Sequence, residues 1–201
     1  MERPLAGLKI VEMAGLGPAP FACFLLAGHG ADVTRIEASG RNTAFLPLDP
    51  HTNPDVLYRT IRTLDLKDDD DRDEAEALIA ACDVLVEGFR PGVMERLGLG
   101  PDTLMQANPG LVYARMTGYG QSGPMSGRAG HDLNYIGMSG VLSMIGRPDT
   151  PPVPPLNLIG DYGGGTMVLI TGILSALFAR QRTGRGSVVD AAMVEGSAML
   201  A

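Results

Sequence analysis

The segment LKIVEMAGLGPAPFACFLLAGHGADVTRIE (residues 8–37) decides the fold of this chain. It begins with a short apolar run, residues 8–13, that predicts a buried strand, and a turn rich in Gly and Pro follows at residues 15–20. An apolar helix is predicted at residues 21–27 and a second strand at residues 32–37. Strands separated by a helix in this way are parallel, because parallel neighbours need a crossover connection.

The same alternation continues along the rest of the chain. Further strands are predicted at residues 57–66, 84–89, 111–117 and 187–190. Further helices are predicted to begin at residue 68 and to occupy residues 91–97, 133–145, 163–181 and 191–201. Near-continuous apolar strands with helices between them are typical of a parallel sheet that is covered on both faces. The sequence therefore predicts an α/β fold with a Rossmann-like parallel sheet and flanking helices.

The composition narrows the class of ligand. With 201 residues, 45% of them hydrophobic, the chain is long enough to bury a substantial core. Its net charge of −7 and its pI near 4.9 argue against non-specific binding to nucleic acid, which depends on clustered Lys and Arg. An anionic ligand would need a local basic pocket. The acidic run at residues 68–76 lies where a helix is predicted to begin, so the helix dipole explains it and no metal site is predicted.

No part of the chain is expected to enter a membrane. Residues 1–5 lack the order of charged, apolar and small residues that marks a secretory signal, so a cytoplasmic location is expected. The longest apolar run, residues 166–179, has about 14 residues, fewer than the roughly 20 that cross a bilayer, and predicts a core helix. Cys23 and Cys82 each lie in an apolar stretch, which favours buried reduced thiols over a disulfide.

The first turn imitates a dinucleotide-binding unit. A glycine-rich turn between a strand and a helix, followed by Glu37 at the end of the second strand, is the layout of that motif. Proline replaces the third glycine of the motif, however, and Pro18 and Pro20 lack the amides that would bind a pyrophosphate. The sequence therefore disfavours a nicotinamide or flavin cofactor.

Two polar segments predict exposed groups at helix starts. A long polar loop, residues 118–130, leads to His131 and Asp132 at the start of a predicted helix. A second segment ends in Asp161 and three nearby glycines, which destabilise a helix unless something approaches the backbone closely. One interpretation makes Asp161, and Asp132 or His131, helix caps. The other uses bare amides to hold an oxyanion, with the carboxylate and the imidazole transferring protons.

Five segments of the chain carry a family resemblance. They are LAGLKIVE (5–12), GADV (30–33), LDLK (64–67), DVLVEGFRPG (83–92) and TGYGQSGP (117–124). With them the chain resembles the class III, or CaiB/BaiF, CoA-transferases over essentially all of its 201 residues. The resemblance implies the large, CoA-binding and catalytic domain of that fold. It also implies that a CoA thioester is the substrate, with no separate cofactor and no metal.

Two more segments resemble the racemase branch of that family. AGHDLNY (129–135) and PPLNLIGD (154–161) are similar to the α-methylacyl-CoA racemases. In the family a residue matching Asp161 is the catalytic carboxylate, and racemases pair it with a histidine matching His131. The resemblance implies α-proton exchange through an enolate, which interconverts the 2R and 2S epimers of a 2-methylacyl-CoA. The alternative is a transferase that moves CoA between carboxylic acids, with Asp161 as the nucleophile.

The resemblance also implies contacts with the CoA thioester. The basic candidates for its phosphates are Lys67, Arg90 and Arg96, with Arg59 and Arg62 as weaker ones. Further candidates are Tyr135, Gly163 and Gly164. The glycine-rich helix start after Asp161 is predicted to offer backbone donors to the enolate oxygen.

The length of the chain differs from that of the family. Family members are nearly twice as long, and the resemblance implies an interlocked homodimer whose active site lies between this domain and a smaller second one. Residues 1–201 are expected to form the amino-terminal large domain, without the small domain and the C-terminal return segment. A further acid that supports the histidine is expected beyond Ala201. We therefore expect the 201-residue chain alone to be inactive, or to be a truncated, non-catalytic CoA-binding partner.

Overall fold

The computed structural model describes residues 3–38, 49, 53–54 and 56–201. These residues form a six-stranded sheet in which every strand runs parallel to its neighbours. The strands are β1 (Lys9–Met13), β2 (Asp32–Glu37), β3 (Arg59–Thr63), β4 (Val84–Glu87), β5 (Val112–Thr117) and β6 (Val188–Ala192). Their order across the sheet is β3-β2-β1-β4-β5-β6. The predicted α/β fold with a Rossmann-like sheet is confirmed.

The helices follow most of the predicted helical segments but differ from them at their ends. They are α1 (Pro18–Gly28), α2 (Asp69–Ala80), α3 (Val93–Arg96), α4 (Pro101–Ala107), α5 (Asp132–Met138), α6 (Val168–Thr183) and α7 (Met193–Met199). A 3-10 turn covers Val141–Met144, and a π-helical segment, Leu158–Met167, leads directly into α6. The helix predicted at residues 133–145 is interrupted, because Gly140 adopts a left-handed φ of 86° before the 3-10 turn.

Helices cover both faces of the sheet. Successive strand residues point to opposite faces, so Ile10 packs with α1 and α6 while Val11 packs with α2. Ile173 of α6 and Ile79 of α2 are both fully buried, one on each face. Burial of an aliphatic side chain of this size stabilises the fold by roughly 1.5–3 kcal/mol. The sheet therefore lies between two apolar layers, and loops lie at the two ends of its strands.

The acidic run forms the start of α2, as predicted. The Asp68 carboxylate accepts hydrogen bonds from the backbone N–H groups of Asp70 and Asp71, at 3.1 and 3.3 Å. This capping satisfies amides that have no partner within the helix, and the negative charges lie at the positive end of the helix dipole. Ala75 and Ile79 then form the buried face of α2.

Both cysteines are buried and free, which confirms the prediction of reduced thiols. Burial raises the pKa of the Cys82 thiol to about 12. It also raises the pKa of Cys23, which is completely buried. Both side chains therefore behave as small apolar groups of the core.

Helix α6 covers the sheet with one stripe only. The buried stripe consists of Leu169, Ile173 and Ala176. Leu174 and Phe178 are instead 41% and 62% exposed. The predicted apolar run of about 14 residues was also too short, because Leu158–Thr183 is long and apolar enough to cross a membrane by length and composition alone. The helix is a core element along one stripe, and its other stripe is uncovered by the part of the chain that the structure describes.

All strands of the sheet end at one edge because they are parallel. In open α/β sheets, ligands bind at this carboxyl edge, near the point where the strand order reverses. That point lies here between β1 and β4. Lys67 follows β3, Arg90 follows β4 and the polar loop leading to His131 follows β5. The fold therefore sends several of the predicted site residues to the same edge.

Candidate active site

Asp161 lies in the first turn of the π-helical segment Leu158–Met167. Its side chain is partly buried, and the Asn157 amide donates a hydrogen bond to its Oδ2 atom at 3.4 Å. Burial raises the pKa of Asp161, the bond from Asn157 lowers it, the charge of Asp132 raises it and that of His131 lowers it. The net shift of the Asp161 pKa is upward, so this carboxyl group is a weaker acid than an unperturbed aspartate.

His131 occupies the position before the first residue of α5. Its backbone N–H donates to the Asn134 side-chain oxygen at 2.9 Å, while the Asn134 N–H donates to the His131 carbonyl at 2.8 Å. This reciprocal pair fixes the backbone of His131, and the residue remains exposed. Its charge acts on the pKa of Asp161. The structure joins the segments of these two residues, which lie 30 residues apart in the sequence, because Asp132, next to His131, accepts the backbone N–H of Asp161.

Asp132 is the residue whose role the sequence analysis left least defined. It is only 5% exposed, and its Oδ2 atom accepts the backbone N–H of Asp161 at 2.8 Å. The capping interpretation makes Asp132 or His131 the cap of α5, and it is His131 that occupies this position. Asp132 is the first residue of α5 and instead satisfies the Asp161 amide in the π-helical segment. The interpretation is wrong for Asp161, since Asn157 occupies the cap position of that segment.

Tyr135 lies within the protein beneath the loop that precedes α5. Its hydroxyl donates to the Gly130 carbonyl, and its ring meets the Tyr119 ring edge-on at a centroid distance of 5.0 Å. A Cβ atom on Gly118 would lie 2.3 Å from the Tyr135 ring, so the loop can pass only as glycine. Burial raises the pKa of Tyr135 to about 12. This position favours support of the loop over the predicted contact with the ligand.

Other parts of the chain approach the backbone of the glycine run (residues 163–165) closely, as predicted, and these parts are helices. A Cβ atom on Gly164 would lie 2.4 Å from the Ser197 nitrogen in α7, and one on Gly165 would lie 2.9 Å from the Pro18 side chain in α1. Gly163 is less crowded, with Leu200 at 3.0 Å. Packing of α7 and α1 therefore accounts for Gly164 and Gly165, and the donor role of Gly163 and Gly164 stays a prediction.

Three of the predicted basic residues are accessible at the carboxyl edge. Lys67, Arg90 and Arg96 are all exposed. Within the described part of the chain, none of the three forms a salt bridge. The Arg96 guanidinium lies close to Gly92, 3.1 Å from the position that a Cβ atom would take there. Because they are exposed and take no part in the salt bridges of the described residues, these side chains can meet an anionic ligand.

Arg59 is differently placed from the predicted phosphate contact. Its side chain is completely buried, its Nε lies 2.6 Å from Glu12, and its guanidinium also donates to the carbonyl of Pro20. Arg35 forms a second buried ion pair with Glu12. Burial raises the pKa of Glu12, and the charges of the two arginines oppose that shift. Arg59 therefore compensates a buried acid and joins β3 to β1 and α1, and its position does not favour a contact with CoA.

Glu87 is a buried acid that the sequence analysis missed. It ends β4, is 2% exposed, and accepts the backbone N–H of Phe89 at 2.8 Å. Burial raises its pKa to about 7, although Arg115 lies 3.4 Å from it. The signal in the sequence was a charged residue inside an apolar strand, followed at once by the loop that carries Arg90. Glu87 thus fixes the loop at the carboxyl edge.

Comparisons with known proteins agree with this arrangement. The sequence model of CoA-transferase family III matches residues 5–201. The α-methylacyl-CoA racemase of Mus musculus is 49% identical over 198 residues, which cover 98% of this chain and 49% of the relative. That of Homo sapiens is 46% identical and covers 98% and 50%. The acetyl-CoA:oxalate CoA-transferase of Acetobacter aceti is 35% identical and covers 96% and 52%.

Solved structures give the same result for the fold. A CaiB/BaiF family protein from Brucella suis superimposes with a TM-score of 0.89 at 30% identity, covering 100% of this chain and 56% of the other. The protein Rv3272 from Mycobacterium tuberculosis gives a TM-score of 0.88 at 35% identity, covering 98% and 57%. The chain spans about half the length of the curated relatives it matches.

Proposed function

Because this chain belongs to CoA-transferase family III, we propose that it carries the catalytic groups of an α-methylacyl-CoA racemase, an isomerase. The proposed reaction interconverts (2R)- and (2S)-2-methylacyl-CoA thioesters. The observation that carries the proposal is the hydrogen bond from the Asp161 N–H to Asp132, which holds the segment of the partly buried Asp161 against the start of α5, where His131 lies. The relatives that are 46–49% identical are α-methylacyl-CoA racemases, whereas the transferase from Acetobacter aceti is 35% identical.

In the proposed mechanism, His131 and Asp161 act on opposite sides of the α-carbon. One of them removes the α-proton, which leaves an enolate with its charge on the thioester oxygen, and the other returns a proton to the opposite face. The raised pKa of Asp161 suits this task, because it makes the carboxylate a stronger base towards the α-proton than an unperturbed aspartate. Each acid or base would contribute roughly a hundred- to ten-thousandfold to the rate.

The CoA portion of the substrate needs positive charge, which an acidic protein must supply locally. Lys67, Arg90 and Arg96 are the exposed cations of the carboxyl edge that suit its phosphates. Glu87 supports this assignment indirectly, since it holds the Phe89 N–H one residue before Arg90. The thioester is itself the substrate, and the proposed reaction uses no separate cofactor.

The assembly and the location are part of the same proposal. We propose that the longer form of the protein is an interlocked homodimer that works on acyl-CoA in the cytoplasm as part of fatty acid metabolism. Exposed apolar side chains on α6 and α7 support an assembly that covers them, since Phe178 is 62% and Met199 is 77% exposed.

A CoA-transferase is the second candidate. The partly exposed Asp161 carboxylate could attack a thioester, expel the CoA thiolate and carry the acyl group as an anhydride. The thiolate would then attack the Asp161 carbonyl, release the acyl group as a free carboxylate and leave a CoA thioester on Asp161. Transferases share 35–38% identity with this chain. The two candidates differ in a measurable way, because only the racemase exchanges the α-proton.

The test is proton NMR of the protein with a single-epimer 2-methylacyl-CoA in deuterated water. Racemisation predicts loss of the α-proton signal, collapse of the methyl doublet and formation of the other epimer. Both H131A and D161N should reduce this exchange at least a hundredfold. Absence of exchange, together with transfer of CoA to an added carboxylate, would contradict the racemase and support the transferase. The measurement is made on the 201-residue chain and on the longest natural polypeptide that contains it.

A further inference from the structure

Asp132 holds the backbone of the candidate base. It is the first residue of α5, and its Oδ2 atom accepts the N–H of Asp161 at 2.8 Å, 29 residues along the chain. An N–H in the first turn of a helix has no acceptor within its own helix. Asp132 supplies that acceptor from a different element, so the position of the Asp161 peptide depends on α5.

Gly160 shows how close this contact is. A Cβ atom built on Gly160 would lie 2.8 Å from the Asp132 Oδ2 atom and 2.9 Å from its Cγ atom. The carboxylate of Asp132 therefore rests directly against the peptide that joins Gly160 to Asp161. Any other residue at position 160 would push the two segments apart, because the contacted atoms belong to a buried side chain.

The charge of Asp132 is poorly compensated. In the described ranges no Lys, Arg or His forms a salt bridge with it, and its buried Oδ1 atom has no hydrogen-bond partner there. The groups that act on Asp161 are Asn157, Asp132 and His131, and Asp161 in turn acts on Tyr135. Asp132 is the one negative group among them besides Asp161 itself. Its charge therefore raises the pKa of the Asp161 carboxylate, since no salt bridge within the described residues neutralises it.

We propose that Asp132 is a positioning residue for the proposed racemase reaction, which holds the Asp161 backbone in place and sets a second negative charge behind its carboxylate. The inference rests on the proposed function, because it assigns Asp132 a part in proton transfer at Asp161. The hydrogen bond fixes the geometry of the base, and the charge increases its affinity for the α-proton. Burial remains the larger cause of the raised pKa of Asp161, and Asp132 adds to it.

Two variants separate the hydrogen bond of Asp132 from its charge. A merely structural role would leave the pKa of Asp161 unchanged when only the charge is removed. Asp132→Asn keeps a side-chain oxygen that can accept the Asp161 N–H but removes the charge. Asp132→Ala removes both. The matched control is Asp102→Asn, because Asp102 lies in the first turn of α4, is exposed and is not among the groups that act on Asp161.

The first readout is the kinetics of α-proton exchange in the longest natural form of the protein. We expect D132A to lower kcat roughly ten- to hundredfold and D132N roughly three- to tenfold, with KM changed less than about twofold. In D132N the acidic limb of the pH profile should move to lower pH, because Asp161 loses a neighbouring negative charge. D102N should leave kcat, KM and the pH profile unchanged. If D132A fails to fold, the D132N profile decides.

The second readout needs no activity. Carbon-13 NMR of aspartate-labelled protein, with the Asp161 resonance assigned through D161N, should show a lower Asp161 pKa in D132N than in the wild type. An unchanged Asp161 titration and an unchanged kcat in D132N would overturn the inference, while exchange by the wild type would leave the proposed function intact. If the wild type shows no exchange, the proposed function fails, and the titration still decides whether Asp132 acts on Asp161.

Discussion

Replacement of Gly164 by alanine should destabilise the fold, because the added methyl group has no room. A Cβ atom on Gly164 would lie 2.4 Å from the Ser197 nitrogen and 2.8 Å from the Gly196 carbonyl carbon. Both atoms belong to the backbone of α7, so no flexible side chain can move aside. The π-helical segment and α7 must therefore separate to accommodate even the smallest side chain.

The size of the effect follows from these distances. Such atoms normally approach to about 3.5–4.0 Å, so α7 must move outwards by roughly 1 Å or more. Overpacking of this kind costs roughly 1–3 kcal/mol, and we expect about 3 kcal/mol because a whole helix is displaced. Met193 and Ser197, both buried in α7, lose contacts in the same movement. In a chain of about this size the loss lowers Tm by about 6–12 °C.

The assay is thermal unfolding followed by circular dichroism, with urea unfolding as an independent measure. The control is Gly28→Ala, because Gly28 is an exposed helical glycine with no described atom within 4 Å of its Cβ position. Alanine there should leave the stability unchanged or raise it by up to about 1 kcal/mol. A G164A protein with the Tm of the wild type would refute the packing argument. Alanine keeps the amide N–H of residue 164. Lost turnover at normal stability would therefore indicate that the added methyl group obstructs a bound ligand.

Three further predictions concern charged groups. Replacement of Arg59 by methionine deprives the buried Glu12 of one partner and should lower the free energy of unfolding in urea by roughly 3–5 kcal/mol, whereas methionine at Arg62, in an exposed pair, should change it by less than about 1 kcal/mol. Calorimetry should find CoA binding weakened about three- to tenfold by alanine at each of Lys67, Arg90 and Arg96. Alanine at Arg185, which lies before β6 at the opposite edge, should leave it unchanged. Because the pKa of Glu87 is raised in the folded state from 4.5 to about 7, its contribution to stability should be lost as the pH rises through 7. The free energy of unfolding in urea should therefore be compared at pH 5 and pH 8. At the higher pH, E87Q should become more stable relative to the wild type by up to about 3 kcal/mol.

The sheet was predictable because its determinants are local. Strand β2 begins and ends as predicted, and β1 and β5 each begin one residue late, since continuous apolar runs specify buried strands. Helix α4 was missed, because it has only seven residues and Leu104 is its one buried side chain. The strand predicted at residues 57–66 shortens to β3, whose pairing with β2 ends at Thr63.

The site was only partly predictable, because its decisive contacts are non-local. The helix-start pattern identified His131 and Asp161, and the family resemblance gave them roles. The pattern could not show that the Asp132 carboxylate crosses 29 residues to the Asp161 amide. In the same way the family resemblance implies a phosphate contact for Arg59, and only the fold shows that Arg59 faces Glu12, 47 residues earlier.

Satisfaction of a helix-start amide by Asp132 is compatible with the chemistry proposed for Asp161. One hydrogen bond satisfies an amide that begins the π-helical segment and also fixes the carboxylate proposed to exchange protons. Stability and reactivity are therefore linked at this point, because α7 packs against Gly164 and α5 holds Asp161 in the same π-helical segment. A change in α7 that shifts the segment should then alter the reactivity of Asp161 without touching the substrate, and the Asp161 pKa is the quantity in which that coupling would be visible.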